Sequence, residues 1–142
     1  SEIIAHWGYP VEEHSATTDD GYILGLQRIP YGKNESYSKK TTRPAVLMIH
    51  GLLCDSTNFI ANLPNQSAGF LFADAGFDVW LGNVRGNTYS RVSRNNCWDK
   101  YYSYFLESDE IAQYDIPAMV ETALNITGQS SLYYIGHSQV DL

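Results

Sequence analysis

The sequence predicts an α/β fold in which a mostly parallel β-sheet carries helices on its faces. Three observations predict this class. A hairpin signal lies near the N-terminus, a continuous apolar run follows at residues 45–49, and helix-like and strand-like segments then alternate as far as residue 135. Strands that are separated by helices pair in parallel, so the sheet is expected to be mostly parallel.

The hairpin is predicted from two β-like runs, residues 14–18 and 22–29, which flank the tripeptide Asp19-Asp20-Gly21. Asp-Gly supplies the positive φ angles that tight hairpin turns require. The next segment, residues 31–42, is rich in Lys, Ser, Gly and Asn, and we expect it to be a long hairpin loop.

Residues 45–49 (AVLMI) have no polar face, which is typical of a strand buried on both sides. Apolar residues at helical spacing within residues 69–75 predict a helix, and Gly76 lies where a helix end favours a left-handed residue. Residues 77–81 are then expected to form the next short strand.

A second helix is predicted after residue 115. Asp115 is expected to cap it, and Pro117 lies in the first turn, where a missing N–H does no harm. Apolar residues then recur at i, i+3, i+4, i+7 and i+8, which is the pattern of an amphipathic helix. We expect Gly128 to end this helix and residues 132–135 to form the last strand.

Composition and charge exclude several classes of protein. The chain is 44% hydrophobic, which is enough for a buried core, and its net charge of −7 makes nucleic acid a poor partner. No run of residues approaches the roughly 18–20 apolar residues that a membrane helix needs, so no transmembrane segment is expected. The four histidines show no metal-ligand spacing, and we predict neither a metal nor another cofactor.

Three Asn-x-Ser/Thr sequons, at Asn34, Asn65 and Asn125, are glycosylation candidates and favour a secretory route. The sequence begins without Met or a leader, as expected of a mature chain whose signal peptide has been removed. Cys54 and Cys97 could pair or could remain free thiols, and the sequence leaves both possibilities open.

Ser138 is the candidate nucleophile. An apolar, aromatic strand leads directly into Gly136-His137-Ser138-Gln139, as when a strand presents a serine on a sharp turn into a helix. Acyl transfer by serine also needs two backbone N–H groups that face the developing oxyanion. The N–H of Gln139, next after the nucleophile, is the expected first donor.

The second oxyanion donor is expected in the loop after an earlier buried strand. His50-Gly51-Leu52 follows residues 45–49, and the N–H of Leu52 is our candidate. His50 and Gly51 then support this loop, and His50 is not expected to be the catalytic base. A third strand-end segment, residues 82–87, is interpreted as a structural turn held by Arg85, since it lacks the Lys-Ser/Thr ending of a phosphate-binding loop.

The chain resembles the acid lipases of the α/β-hydrolase superfamily, that is, the gastric and lysosomal acid lipases and their invertebrate relatives. The most specific shared motifs are His6-Trp-Gly-Tyr-Pro10 and the Gly-Asn-x-Arg-Gly-Asn pattern of residues 82–87. Further matching stretches are residues 1–5 (SEIIA), 20–24 (DGYIL), 28–30 (RIP), 50–53 (HGLL), 62–63 (NL), 69–70 (GF), 73–80 (ADAGFDVW), 114–115 (YD) and 136–139 (GHSQ).

The resemblance implies an α/β-hydrolase fold and hydrolysis of triacylglycerols or cholesteryl esters at a lipid–water interface, without metal or other cofactor. It implies a glycosylated protein that is secreted or lysosomal. It also implies that Ser138 is the nucleophile and that the backbone amides of Leu52 and Gln139 form the oxyanion hole.

Residues 1–142 depart from the family after the nucleophile. Members of the family continue with a nucleophile helix, further strands, a lid, and the acid and histidine of the triad, whereas here Val140 replaces the second glycine of Gly-x-Ser-x-Gly. We therefore expect a partial α/β-hydrolase domain over residues 1–142, truncated at the nucleophile elbow and lacking the lid and the C-terminal half. Neither acid nor base of the triad is present, so we expect this chain to be inactive.

Two alternatives stand beside an inactive piece of a lipase. One is a non-catalytic fragment that acts as a binding or decoy module, and the other is a different esterase of the same superfamily.

Overall fold

The computed structural model describes residues 1–35, 42–87, 89–90, 92–93 and 108–138. Six strands form one sheet: β1 (Glu12–Thr17), β2 (Tyr22–Ile29), β3 (Ala45–Ile49), β4 (Asp78–Gly82), β5 (Val92–Ser93) and β6 (Tyr133–Gly136). The helices are α1 (Glu2–His6), α2 (Ala68–Asp74), α3 (Ser108–Glu110) and α4 (Ile116–Thr127), and a wide π turn (Ile111–Asp115) joins α3 to α4. Two short 3-10 helices, Ser56–Phe59 and Pro64–Gln66, lie between β3 and α2.

The sheet has the strand order β1-β2-β4-β3-β6, with β5 paired to β2. The hairpin of β1 and β2 is antiparallel, as predicted, and β2 also pairs antiparallel with β4. β3 pairs in parallel with β4 on one side and with β6 on the other. The predicted hairpin and the predicted parallel pairing of the later strands are confirmed. The expectation of a mostly parallel sheet is wrong for the described strands, because β2 pairs antiparallel with β1, β4 and β5.

The segment between β2 and β3 is not a hairpin loop, and that prediction is wrong. β4 lies between β2 and β3 in the sheet, so these two strands are not neighbours and residues 31–42 do not join a hairpin. Residues 36–41 of this segment lie outside the described residues. A polar, glycine-containing segment is compatible with either path, because its composition does not determine which strand it leads to.

The apolar run of β3 is buried on both faces of the sheet, as its composition predicts. Leu47 and Ile49 pack with Trp80, Met119 and Ala123 on the face covered by α4. The alternate residues of the strand belong to the opposite face, where the cluster contains Val46, Met48, Phe70, Ala73 and Val79 beneath α2. A strand covered on both faces needs apolar residues at every position, which explains why this segment does not alternate.

The ends of both longer helices follow the sequence. α2 ends at Asp74, shortly before Gly76, and α4 ends at Thr127, before Gly128. The two glycines have φ angles of +93° and +69°, in the left-handed region that the prediction required. None of the helices within the described ranges is long and apolar enough to cross a membrane.

Asp115 does not cap α4, and this prediction is wrong. The chain is already helical from Ser108 through the π turn, and the carboxylate of Asp115 makes no capping hydrogen bond. It instead accepts hydrogen bonds from Arg85: 2.8 Å from the backbone N–H, 2.8 Å from Nε and 2.7 Å from Nη2. An aspartate two residues before a proline has the sequence pattern of a helix cap. Here the carboxylate of Asp115 accepts hydrogen bonds from the buried Arg85 instead.

Arg85 joins three separate parts of the fold. Besides Asp115, its guanidinium donates to Asp20 in the hairpin turn at 2.7 and 3.1 Å. It also lies over the rings of Tyr22 and Tyr114, with its Cζ 4.3 and 5.7 Å from their centroids. The side chains of Arg85 and Asp115 are both fully buried, so the predicted role of Arg85 in holding the 82–87 turn is confirmed.

We expect Arg85→Met to lower the free energy of unfolding by about 3–5 kcal/mol, because it leaves the buried Asp115 without its counter-ion. The double variant Arg85→Met/Asp115→Leu should recover much of that loss, since neither charge then remains buried. Urea denaturation of the three proteins measures both effects. A loss below about 1 kcal/mol for Arg85→Met, typical of exposed ion pairs, would contradict this account.

Candidate active site

Ser138 lies just after the C-terminal end of β6, on a strained turn. Its φ angle is +61°, in the left-handed region that residues other than glycine rarely adopt. The residue is exposed, whereas most of the adjoining strand is partly buried. A sharp, strained turn that exposes a serine at the end of a parallel strand is the geometry of a nucleophile elbow.

The loop after β3 lies directly against this turn. Ile49, the last residue of β3, pairs with Gly136, the last residue of β6, and the N–H of His137 donates to the carbonyl of Ile49 at 3.1 Å. A Cβ atom built on Gly51 would lie 3.0 Å from Cβ of Ser138 and 2.9 Å from Nδ1 of His137. Only glycine permits this approach, so the predicted Gly51 loop and the predicted nucleophile are brought together.

The loop itself is a tight turn that begins at Gly51. The N–H of Cys54 donates to the carbonyl of Gly51 at 3.2 Å, and Leu53, the third residue of the turn, has a φ angle of +61°. That position normally holds glycine or asparagine. Within the described ranges, Leu53 and Ser138 are the two non-glycine residues with positive φ, so backbone strain is concentrated at this site.

Leu52 carries the predicted oxyanion donor. Among the described residues, none accepts a hydrogen bond from its N–H. Leu52 and Leu53 are 40% and 79% exposed, so two apolar residues lie at the surface next to this N–H. A donor without an acceptor in the described part of the chain is available to a negative oxygen on a bound molecule.

His50 is buried beneath the loop as a neutral imidazole. Its Nδ1 lies 2.9 Å from the carbonyl oxygen of Gly51. Its Nε2 accepts from the N–H of Val84 at 3.3 Å and lies 3.0 Å from Nδ2 of Asn87. Burial lowers the pKa of His50, against the opposing effects of the Gly51 carbonyl and the charge of Asp55. Both ring nitrogens are engaged, so His50 has no free nitrogen with which to act as a base.

The sequence did not reveal how the 82–90 segment supports the site. Asn83, Asn87 and Ser90 are buried polar residues of this segment, and with Ser56 they bond to each other, to His50 or to the β2 backbone. The only available signal was the density of polar residues directly after a buried strand. That signal marks a loop at the correct end of the sheet but does not identify its partners.

Several predicted features lie outside the described residues: the oxyanion donor Gln139, the substituted Val140, and Cys97. Cys54 is partly buried and has no disulfide partner among the described residues, which do not include Cys97. In the part of the chain that the structure describes, no cluster of His, Cys, Asp and Glu side chains could hold a metal ion.

Residues 44–139 match the family described as "alpha/beta hydrolase fold", and residues 1–63 match one described as "Partial alpha/beta-hydrolase lipase region". The first match covers more than half of the chain, which therefore belongs to the α/β-hydrolase family. A solved esterase from Pyrococcus furiosus has the same fold, with a TM-score of 0.63 and 13% identity over 96% of this chain and 46% of that protein.

Known lipases are much more similar in sequence. Lipase lipl-1 of Caenorhabditis elegans is 56% identical over 97% of this chain and 34% of its own length. The lysosomal acid lipase/cholesteryl ester hydrolase of Homo sapiens is 52% identical over 98% of this chain and 35% of its own length. The predicted resemblance to acid lipases is confirmed, and the chain spans about a third of the length of these relatives.

The buried neutral His50 predicts a specific pH dependence of stability. Below about pH 6.5 a histidine in the unfolded chain binds a proton. His50 in the folded chain stays unprotonated at such a pH, because burial lowers its pKa. The unfolded state then holds more protons than the folded state. The free energy of unfolding must therefore decrease as the pH is lowered, by up to about 1.4 kcal/mol per pH unit.

Urea denaturation between about pH 7 and pH 5 measures this slope. His50→Gln should remove the contribution of His50 to this slope. His6→Gln, a change at an exposed residue of α1, should retain that contribution. Equal slopes in the wild-type chain and His50→Gln would show that His50 is not kept neutral by the fold.

Proposed function

We propose that residues 1–142 carry the nucleophile and the oxyanion loop of a serine ester hydrolase that acts on neutral lipids, either triacylglycerols or cholesteryl esters. One observation carries the proposal: Ser138, strained at φ +61°, lies against Gly51, with 3.0 Å between its Cβ and a Cβ built on that glycine. Leu52 follows Gly51 directly, and its N–H has no acceptor among the described residues, so a nucleophile and an oxyanion donor lie within one small region.

The geometry supports acyl transfer through a tetrahedral intermediate. Ser138 Oγ attacks the carbonyl carbon of the ester while its proton passes to a base, and the carbonyl π electrons move onto the oxygen. The N–H groups of Leu52 and Gln139 donate to this oxyanion. Collapse of the intermediate expels the alcohol, which takes up the proton from the base, and Ser138 remains acylated. Attack by water then releases the fatty acid and restores Ser138.

We propose that the base and the acid of the triad come from residues outside these 142. His50 has both ring nitrogens engaged, and His14 bonds to Glu12 at 3.0 Å and packs against Trp80. Without a base Ser138 is an ordinary alcohol, and loss of triad members lowers rates by about 10⁴–10⁶. Residues 1–142 by themselves are therefore inactive.

Neutral lipid is the substrate class that the surroundings of the site favour. The exposed side chains of Leu52 and Leu53 lie directly at the proposed oxyanion donor, where they offer apolar surface to an acyl chain or a lipid surface. The similar human protein is named as a cholesteryl ester hydrolase, which agrees with an uncharged ester.

A fluorophosphonate probe tests the nucleophile directly. We expect it to label the complete product of the gene at Ser138, with labelling and hydrolysis of a short-chain ester at about pH 5 both abolished by Ser138→Ala. Ser131→Ala, a change at another exposed serine, is the matched control and should behave as wild type.

Residues 1–142 alone should show no ester turnover above background, because they lack the base. Turnover by this chain that depends on Ser138 would overturn the claim of inactivity. Persistent labelling of Ser138→Ala would overturn the assignment of the nucleophile, and a complete product that is never labelled would indicate a non-catalytic binding module.

We also propose that the protein passes through the secretory route to the cell exterior or the lysosome. All three sequon asparagines, Asn34, Asn65 and Asn125, are exposed and accessible to modification. Expression in a secreting eukaryotic cell should give a product whose mobility increases after peptide-N-glycosidase treatment. Each of Asn34→Gln, Asn65→Gln and Asn125→Gln should remove one step of that shift, and a mobility unaffected by the enzyme would contradict the proposal.

A further inference from the structure

The proton of the His50 ring is located by two backbone groups. The carbonyl of Gly51 can only accept, so Nδ1 of His50, at 2.9 Å, must carry the proton. The N–H of Val84 can only donate, so Nε2, at 3.3 Å, must be unprotonated. His50 is therefore a neutral ring that donates towards the loop and accepts from the 82–90 segment.

Asn87 is the side chain that completes this arrangement. Its Oδ1 accepts from the N–H of Tyr89 at 2.9 Å, which determines the orientation of the amide. Nδ2 consequently faces His50, where it donates to Nε2 at 3.0 Å, and it also donates to Oδ1 of Asn83 at 2.9 Å. Asn87 is only 8% exposed and His50 only 2%, so water competes little for these bonds.

Backbone groups also orient Asn83, the next member of the network. Its Oδ1 accepts from the N–H of Ser56 at 2.9 Å, and its Nδ2 donates to the carbonyl of Gly25 in β2 at 3.3 Å. Both residues, Asn83 and Ser56, are buried. The network therefore runs from the backbone of β2 to His50 with the direction of every bond determined.

We propose that Asn87 is a positioning residue that keeps the His50 proton on Nδ1, so that His50, together with the N–H of Cys54, holds the Gly51 carbonyl and fixes the direction of the Leu52 N–H. The carbonyl of Gly51 and the N–H of Leu52 belong to one trans peptide and point in opposite directions. A bond that holds this carbonyl thus orients the proposed oxyanion donor. The inference rests on the proposed function, which supplies the role of Leu52.

A second protonation state of His50 would disrupt the arrangement. A proton on Nε2 would face the N–H of Val84 and the amide of Asn87, both of which are donors. Asp55 is the charged group that acts on His50, and its charge favours the imidazolium. Asn87 opposes that effect, because a donor at this position stabilises only the unprotonated Nε2.

Asn87→Asp tests the proposal, since it replaces the donor with an acceptor of nearly the same shape. Long-range ¹H–¹⁵N spectra of the 142-residue chain at about pH 7 report which ring nitrogens of His50 carry a proton. We expect the wild-type ring to be protonated on Nδ1 alone and the Asn87→Asp ring to be protonated on Nε2. Asn125→Asp, the same change on the exposed surface of α4, should leave the wild-type pattern.

The functional arm measures the rate at which the fluorophosphonate probe labels Ser138 in the complete gene product, expressed without N-glycans so that the change at the Asn125 sequon removes no glycan. Asn87→Asp should slow labelling by about 10-fold or more, towards the 10²–10³-fold loss seen when an oxyanion donor is removed. Asn125→Asp should label at the wild-type rate.

The proposal is overturned if the wild-type His50 carries its proton on Nε2, a measurement that holds even if Asn87→Asp does not fold. It is also overturned if the ring proton moves in Asn87→Asp while the labelling rate stays equal to that of Asn125→Asp. Labelling that persists in Ser138→Ala would instead show that the proposed function itself has failed.

Discussion

The parallel pairing of β3 with β6 is the constraint on which the site depends. It places the last residues of the two strands, Ile49 and Gly136, side by side, so the two following loops must leave the sheet together. The loops contact each other at Gly51 and Ser138, at a separation that a β-carbon on residue 51 would not permit. A change of register between these strands would separate the proposed nucleophile from the proposed oxyanion donor. The side chains on both faces of β3 pack into the two core clusters, so a change of register would move each of them out of its packing position.

Polar groups beneath the loops stabilise a strained surface. Left-handed φ angles at Leu53 and Ser138 each cost about 1–3 kcal/mol. Such residues persist only where the surroundings determine the backbone strongly, and here the surroundings are hydrogen bonds between groups of fixed role. Neutral His50 connects the loop after β3 to the 82–90 segment, and Arg85 connects that segment to the hairpin turn and to the π turn before α4. The strained residues therefore lie on a rigid base, which suits a site that must be preorganised.

The sequence predicts best the features that depend on nearby residues. The strand at residues 45–49, the left-handed Gly76 and Gly128, and the turn at Ser138 each follow from a local pattern of burial or backbone preference. The sequence is a poorer guide to contacts between side chains that are distant in the chain. Asp115 has the pattern of a helix cap, but Arg85, 30 residues away in the chain, takes its carboxylate. Asn87 and His50 are 37 residues apart, and no spacing rule connects them. Whether β2 and β3 are neighbours also depended on where β4 would lie in the sheet.

The most direct test of the account is a crystal structure of the complete gene product with a phosphonate bound covalently to Ser138. The phosphonyl oxygen occupies the position of the oxyanion in the reaction. We predict that this oxygen lies about 2.7–3.1 Å from the backbone nitrogen of Leu52, with the Gly51 carbonyl still bonded to Nδ1 of His50. A phosphonyl oxygen directed away from Leu52, or a rotated Gly51–Leu52 peptide, would contradict the claim that these two loops form one catalytic site.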